Sequence, residues 1–199
     1  MRYTKIVMLG LVAVMVATLV VSMGRFRPAP SGAPAATPVG GGTPAAVEGY
    51  LAYSDEANGF TVHYPEEWTP IPEEWRTEEV VGGFRDESAC GGIYSSFRVG
   101  TKEEPSGATL EEYCQSLRED YAALEGCTFV AEEAMTVAGV EAMAQEYTLV
   151  EGEVTVKREQ IILVQGTRVW FIVCDAASSC WGAYEPAFDT VVDSLQLHS

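Results

Sequence analysis

Two histidines, five cysteines and a series of acidic doublets are the groups in this sequence whose types could do chemistry. Acid–base and nucleophilic catalysis need a base held against the group it activates, and histidine is the usual choice. His63 falls on the polar side of an alternating segment and His198 is the second-last residue, so both are expected at the surface without a predictable partner. Glycine-rich phosphate loops, zinc-type Cys/His spacings and nucleophile-elbow patterns do not occur. The doublets Glu66-Glu67, Glu73-Glu74, Glu78-Glu79, Glu103-Glu104, Glu111-Glu112 and Glu132-Glu133 cannot readily chelate an ion singly. Adjacent side chains point to opposite faces of a strand and diverge by about 100° on a helix. We therefore assign no catalytic residue, no metal ligand and no cofactor.

The cysteines depend on the compartment, and the N-terminus bears on that. Ile6 to Met23 is an 18-residue run without a charge, close to the ~20 apolar residues that cross a bilayer as a helix. Arg2 and Lys5 precede it, and the run exceeds the roughly 7 to 15 residues of an export-signal core. Ser22-Met23-Gly24 does offer the small residues that a signal peptidase accepts, so cleavage is the alternative. We read residues 1–5 as a cytoplasmic N-terminus, 6–23 as a transmembrane signal anchor, 24–48 as a Pro/Ala/Gly-rich linker and 49–199 as one extracytoplasmic domain. This is a single-pass protein of the cell membrane, attached through its N-terminal helix. Arg25 and Arg27 balance Arg2 and Lys5, so orientation rests on the tether and the cysteines.

In an exported domain most of five cysteines are expected to pair. Cys174 and Cys180 are the preferred disulfide, because a chain that folds back between them can bring the Cα atoms within about 6 Å. Cys114 falls on the core side of a helix and is expected as a buried thiol. Cys90 and Cys127 could also pair, leaving Cys114 over.

The sequence has 29 acids and 12 bases. All but Glu48 and all but Arg2, Lys5, Arg25 and Arg27 lie from Gly49 onward, so the domain carries 28 against 8 and a formal charge of −20. Such a surface excludes nucleic acid and is repelled by anionic lipid. Gly59-Phe60-Thr61-Val62-His63-Tyr64 alternates as a half-buried strand. Turn signals at Ala138-Gly139, Glu151-Gly152 and Gln165-Gly166 predict an antiparallel meander of strands over about 128–136, 141–150, 153–164 and 168–174. The last two are apolar on both faces, so they must be central and covered by helices. One helix begins at Thr109 in a capping box with Glu112, presents Leu110, Tyr113, Cys114, Leu117 and Tyr121, and stops at Gly126. A second starts near Glu185 with Pro186 in its first turn and presents Phe188, Val191, Val192 and Leu195. The fold class is α+β, with one antiparallel sheet of about six strands flanked by helices. Trp68, Trp75, Trp170 and Trp181 are read as core and rim packing rather than the lining of a cleft.

Four segments carry a family resemblance: Gly59 to Trp68, the Thr109 to Leu117 helix, Val137 to Ala142, and Tyr184 to Phe188 leading into Ser194-Leu195. In this order and spacing the domain resembles extracytoplasmic domains of the PsbP and Mog1 type. The resemblance implies the α+β fold and a setting outside the cytoplasm. Its members include tethered bacterial and archaeal proteins of unknown role and accessory subunits at the lumenal face of photosystem II. The anchor, tether and cysteines depart from the photosynthetic members, so the fold is carried over and no site residue is.

The first functional expectation is a non-catalytic, membrane-tethered binding or scaffold domain whose partner is another membrane or cell-surface protein. A small-ligand or divalent-cation-binding domain is the alternative. A hydrolase is the third, and it lacks a nucleophile–base pair.

The charge generates a test. Repulsion among the surplus acids should be screened as the Debye length falls from about 30 Å at 0.01 M salt to about 3 Å at 1 M. Melting of the isolated domain near neutral pH should shift upward across that range. A flat or falling midpoint would show that the acids do not strain the fold.

Overall fold

The computed structural model describes residues 47–198. The expected anchor and the linker up to residue 46 lie outside the described residues. Among the described residues no helix is long and apolar enough to cross a membrane.

Strands β1 (Tyr50–Asp55), β2 (Phe60–Pro65), β3 (Thr69–Pro70), β4 (Val80–Arg85) and β5 (Ser96–Glu103) precede helix α1 (Leu110–Ala122). The meander β6 (Cys127–Val137), β7 (Val140–Glu151), β8 (Val154–Gln165) and β9 (Arg168–Ala177) follows, then helix α2 (Trp181–Asp193) and β10 (Gln196–Leu197). The strands form two antiparallel sheets rather than the single sheet expected: seven strands in the order β3-β4-β5-β9-β8-β7-β6 and three in the order β1-β2-β10. The reason is long-range. β2 alternates in sequence but is buried on both faces rather than half-buried, Thr61 and His63 included, and it pairs with β1 and with Gln196-Leu197 at the far end of the chain.

The meander turns match the glycine signals, with a one-residue offset in two of them. Ala138 and Gly139 both have positive φ and close the first hairpin. In the other two, Gly152 and Gly166 occupy the first turn position, and the strands close on the pairs Glu151–Val154 and Gln165–Arg168. Positive φ only at the first central residue is the pattern that suits glycine and the right-handed twist of the strands.

β9 and β8 lie centrally, as their two-faced apolar runs require. One face sets Phe97, Val99, Ile161, Leu163, Trp170 and Ile172 in a buried cluster with Phe188, Val191 and Val192 of α2 and Phe60 and Val62 of β2. Each large side chain buried there contributes roughly 1.5–3 kcal/mol relative to exposure. The opposite face is covered by α1 through Tyr113, Cys114, Leu117 and Tyr121. α1 is capped as expected: the Thr109 hydroxyl accepts from Glu112 N–H at 3.2 Å, and Glu112 Oε2 accepts from Thr109 N–H at 2.9 Å. The Thr109 N–H, and then the Thr109 hydroxyl that donates to the same Oε2 at 3.0 Å, hold the Glu112 carboxyl below its usual range.

α2 begins at Trp181, a turn earlier than expected, so Pro186 falls inside it. Tertiary packing supplies the extra turn. Trp181 is buried in the core cluster and its indole N–H donates to Glu185 at 3.2 Å, which offsets the main-chain bond that Pro186 cannot make.

Two glycines separate packing from propensity. A methyl at Gly100 of β5 would overlap the Phe171 ring, whereas one at Gly182 in α2 meets nothing within 4 Å. Gly100→Ala should cost about 1–3 kcal/mol of unfolding free energy through overpacking. Gly182→Ala should instead stabilise by about 0.5–1 kcal/mol. Urea titration of both variants checks the pair.

Candidate functional site

The groups with the strongest electrostatics lie between α1 and the large sheet. Arg158 on β8 stands directly across from Asp175 on β9, and Arg98 on β5 is diagonal to it. All three are buried. Arg158 grips the carboxylate with both sides of its fork, Nε to Oδ1 at 2.7 Å and Nη2 to Oδ2 at 3.1 Å. Arg98 Nη2 donates to the same Oδ2. Burial would lift the Asp175 carboxyl, but Arg158 and then Arg98 outweigh it and hold the group below its usual range.

The cluster continues into the helix. Arg158 Nη1 donates to the Tyr121 hydroxyl at 3.2 Å, and that hydroxyl donates to Gln160 Oε1 at 3.1 Å. Gln145 Nε2 donates to the Cys114 carbonyl at 3.0 Å and to Glu132 Oε2 at 2.7 Å, while Tyr147 donates to Gln145 Oε1 at 2.8 Å. This is a polar lock that fixes helix to sheet, with most of its donors spent on internal acceptors and Arg98 Nε left without one. Sequence reasoning missed it because the flanking runs read as apolar strand. Counting outward from the Gly166 turn would have placed Arg158 opposite Asp175.

The cysteines pair differently from expectation. Cys180 bridges to Cys90, with Cα atoms 6.6 Å apart, and Cys174 is a free buried thiol. β9 runs three residues past the expected end at Cys174, so Cys174 points into the core while Cys180 sits at the start of α2. The link across 90 residues joins α2 to the β4–β5 connection. In the chain-entropy account, closing a loop of that length stabilises by about 4–5 kcal/mol, more than the short loop expected would have. Cys127 does not pair with Cys90; it and Cys114 are free. Burial pushes the Cys114 thiol up to about 12 and that of Cys174 well above its ordinary value, so neither is a ready nucleophile.

His63 is buried, not at the surface as expected, on a strand that lies between β1 and β10 and packs against α2, and its N–H donates to the Ser194 hydroxyl oxygen at 2.8 Å. Its Nδ1 has no hydrogen-bond partner, and burial lowers its pKa. His198 stays exposed and its Nε2 meets the Thr61 hydroxyl at 2.8 Å, which ties the C-terminus to β2. The two histidines thus serve the small sheet. Trp68, Trp170 and Trp181 are buried and Trp75 is half-buried with Arg85 over its ring, the core and rim packing expected.

The surface around α2 is acidic. Burial raises the Glu159 carboxyl, Lys157 opposes, and Asp189, Glu146 and Glu185 add to the rise. Burial and then Glu185 and Asp193 do the same to Asp189. Lys157 is the local counter-charge, 2.7 Å from Glu146 and 4.5 Å from the centre of the Trp181 ring. Among the described residues no three His, Cys, Asp or Glu groups are placed to hold a metal ion.

A two-sheet α+β domain, locked internally and acidic outside, is the class that these features define. The PsbP family model matches residues 48–197, and the chain belongs to that family. In fold it is similar to the cyanobacterial PsbP (CyanoP) of Synechocystis sp. PCC 6803, at 18% identity and TM-score 0.58 over 81% of this chain and all of that one. LpqN of Mycobacterium tuberculosis, involved in cell envelope biogenesis, is similar at 14% identity and TM-score 0.60 over 75% of this chain and 91% of that one. PA94, a protein of unknown function from Pseudomonas aeruginosa, has 14% identity and TM-score 0.53 over 73% and 94%. No curated protein matches the sequence.

The lock yields a pH prediction. A carboxyl whose pKa is depressed on folding contributes stability above its ordinary 3.8 and loses it as pH falls through the folded value. Asp175→Asn should cost about 3–5 kcal/mol at pH 7 by leaving two guanidiniums unneutralised. The gap between wild type and variant should close progressively below pH 4, as read by urea unfolding across that range. A gap that stays constant would refute the ion-pair account.

Proposed function

We propose that the protein is a non-catalytic, membrane-tethered extracytoplasmic domain that binds or scaffolds another membrane or cell-surface protein through its acidic surface. One observation carries this reading: the way the domain uses its charges. Arg85, Arg98, Lys102, Arg118, Lys157, Arg158 and Arg168 are each held in an ion pair, over an aromatic ring, or both. That accounts for seven of the eight bases from Gly49 onward, so the outward field is left to the acids.

His63, Cys114 and Cys174, three of the groups that could act as nucleophile or base, are buried, and burial raises both thiols. The family and the fold likeness to LpqN, a protein of cell envelope biogenesis, support the extracytoplasmic setting. The tether rests on the charge-free run from Ile6 to Met23.

Photo-crosslinking of the full-length chain in its native membranes tests the reading. Cross-links should converge on one membrane or cell-surface protein and should fade at about 1 M salt, where charge attraction is screened within about 3 Å. Recovery of the full-length chain in the cytoplasmic fraction, or a hydrolytic activity lost in His63→Ala, would overturn it.

A further inference from the structure

The seven-stranded sheet ends on its longest unprotected element. β6 is the terminal strand, 11 residues long, with β7 on one side only. At the other end of the sheet β3 has only two residues. The two-residue turn at Ala138-Gly139 makes Val137 and Val140 the closing hydrogen-bonded pair. Antiparallel pairing then alternates: Met135 and Glu133 exchange main-chain bonds with β7, and the N–H and C=O of Thr136, Ala134 and Glu132 point off the open edge. Residues 131–134 and Thr136 are exposed. The row ends at a bulge between Phe129 and Ala131, where Val130 is 49% exposed.

The charges on this edge select its occupant. Glu132 is held by Arg118 at 3.6 Å and by Gln145, whereas Glu133 makes no ion pair among the described residues. Pairing two copies edge to edge would bring both Glu132-Glu133 doublets within a few residues of each other, on domains that each carry a formal −20. Like charges across a new ladder disfavour that assembly. The same carboxylates attract a lysine- or arginine-bearing strand, and exposed Val130 offers it an apolar neighbour.

We propose that the open edge of β6 accepts an extended basic segment of the partner as an added strand, with main-chain bonds from Thr136, Ala134 and Glu132 and charge pairing at Glu133. This rests on the binding function proposed above and names its surface.

The probe is a synthetic, end-blocked heptapeptide of alternating lysine and valine, titrated by fluorescence anisotropy against the full-length chain in detergent. Ala134→Pro removes an outward N–H that β7 does not use, so the hairpin should keep its melting midpoint while the peptide binds about tenfold more weakly. Glu133→Lys should weaken the lysine peptide as well. A second peptide of the same charge, N-methylated on alternate backbone amides, should also bind about tenfold more weakly, and it serves as the reading if Ala134→Pro fails to fold.

Absence of binding, or equal affinity for the plain and N-methylated peptides, would overturn the proposal, the latter by showing charge attraction without strand addition. Cross-links in native membranes that map away from β6 would overturn it too, while leaving the binding function standing.

Discussion

The buried carboxylate of Asp175 is the point on which the rest of the domain depends. It is shared by guanidiniums from β8 and β5, and the Arg158 guanidinium reaches on to Tyr121 in α1. Three strands and a helix therefore meet at one charge. Ion pairs of this kind cost desolvation, and they stabilise only when geometry is good and spare donors are satisfied. Here the Arg158 fork and the Tyr121 hydroxyl, which passes its own proton to Gln160, meet most of that demand, and Arg98 Nε is left without a partner. A ladder that is apolar on both faces could slide by two residues at little cost. The charge pair opposes such a slip, because displaced partners would leave buried ions uncompensated.

The disulfide works at a different level. Cys90 lies on the β4–β5 connection and Cys180 at the start of α2, so the covalent link ties one edge of the large sheet to the helix on its core face. The helix faces the side of the sheet opposite α1. One layer is thus held by charge and hydrogen bonds, the other by apolar packing with a covalent tie. Between them lies the central pair β8 and β9, of which β9 is buried almost throughout and β8 chiefly over Gln160 to Leu163.

Charge is partitioned in the same spirit. The few bases are drawn into ion pairs and onto rings, as with Lys102 over Tyr113 and Arg85 between Trp75 and Tyr94. Each ion pair sets a base against an acid, and each ring contact stabilises its cation locally by about 0.5–1 kcal/mol at exposed sites. The excess of carboxylates is what faces outward, and under the proposed binding function it would set the salt dependence of association and the sign of the partner.

The local elements were legible in the sequence because their determinants are local. The capping box at Thr109, the glycines of the meander turns and the two-faced apolar runs of β8 and β9 each act over a few residues, and the structure has all of them. Of these, the Thr109 cap and the Ala138-Gly139 turn also lie in the segments that carried the family resemblance. What tertiary structure decided were pairings between distant residues. Two sheets form instead of one because β2 pairs with β1 and with Gln196 and Leu197 rather than with the large sheet, and His63 is buried on that strand. Cys180 reaches Cys90 because the β4–β5 connection is brought beside α2, a proximity across 90 residues that no spacing encodes. α2 starts early because Trp181 packs on the core, overriding the preference of Pro186 for a first turn. Asp175 shows the boundary between the two. Its partner on β8 follows from turn register, but its second partner on β5 depends on which strand the sheet places beside β9, and that is settled only when the whole chain has packed.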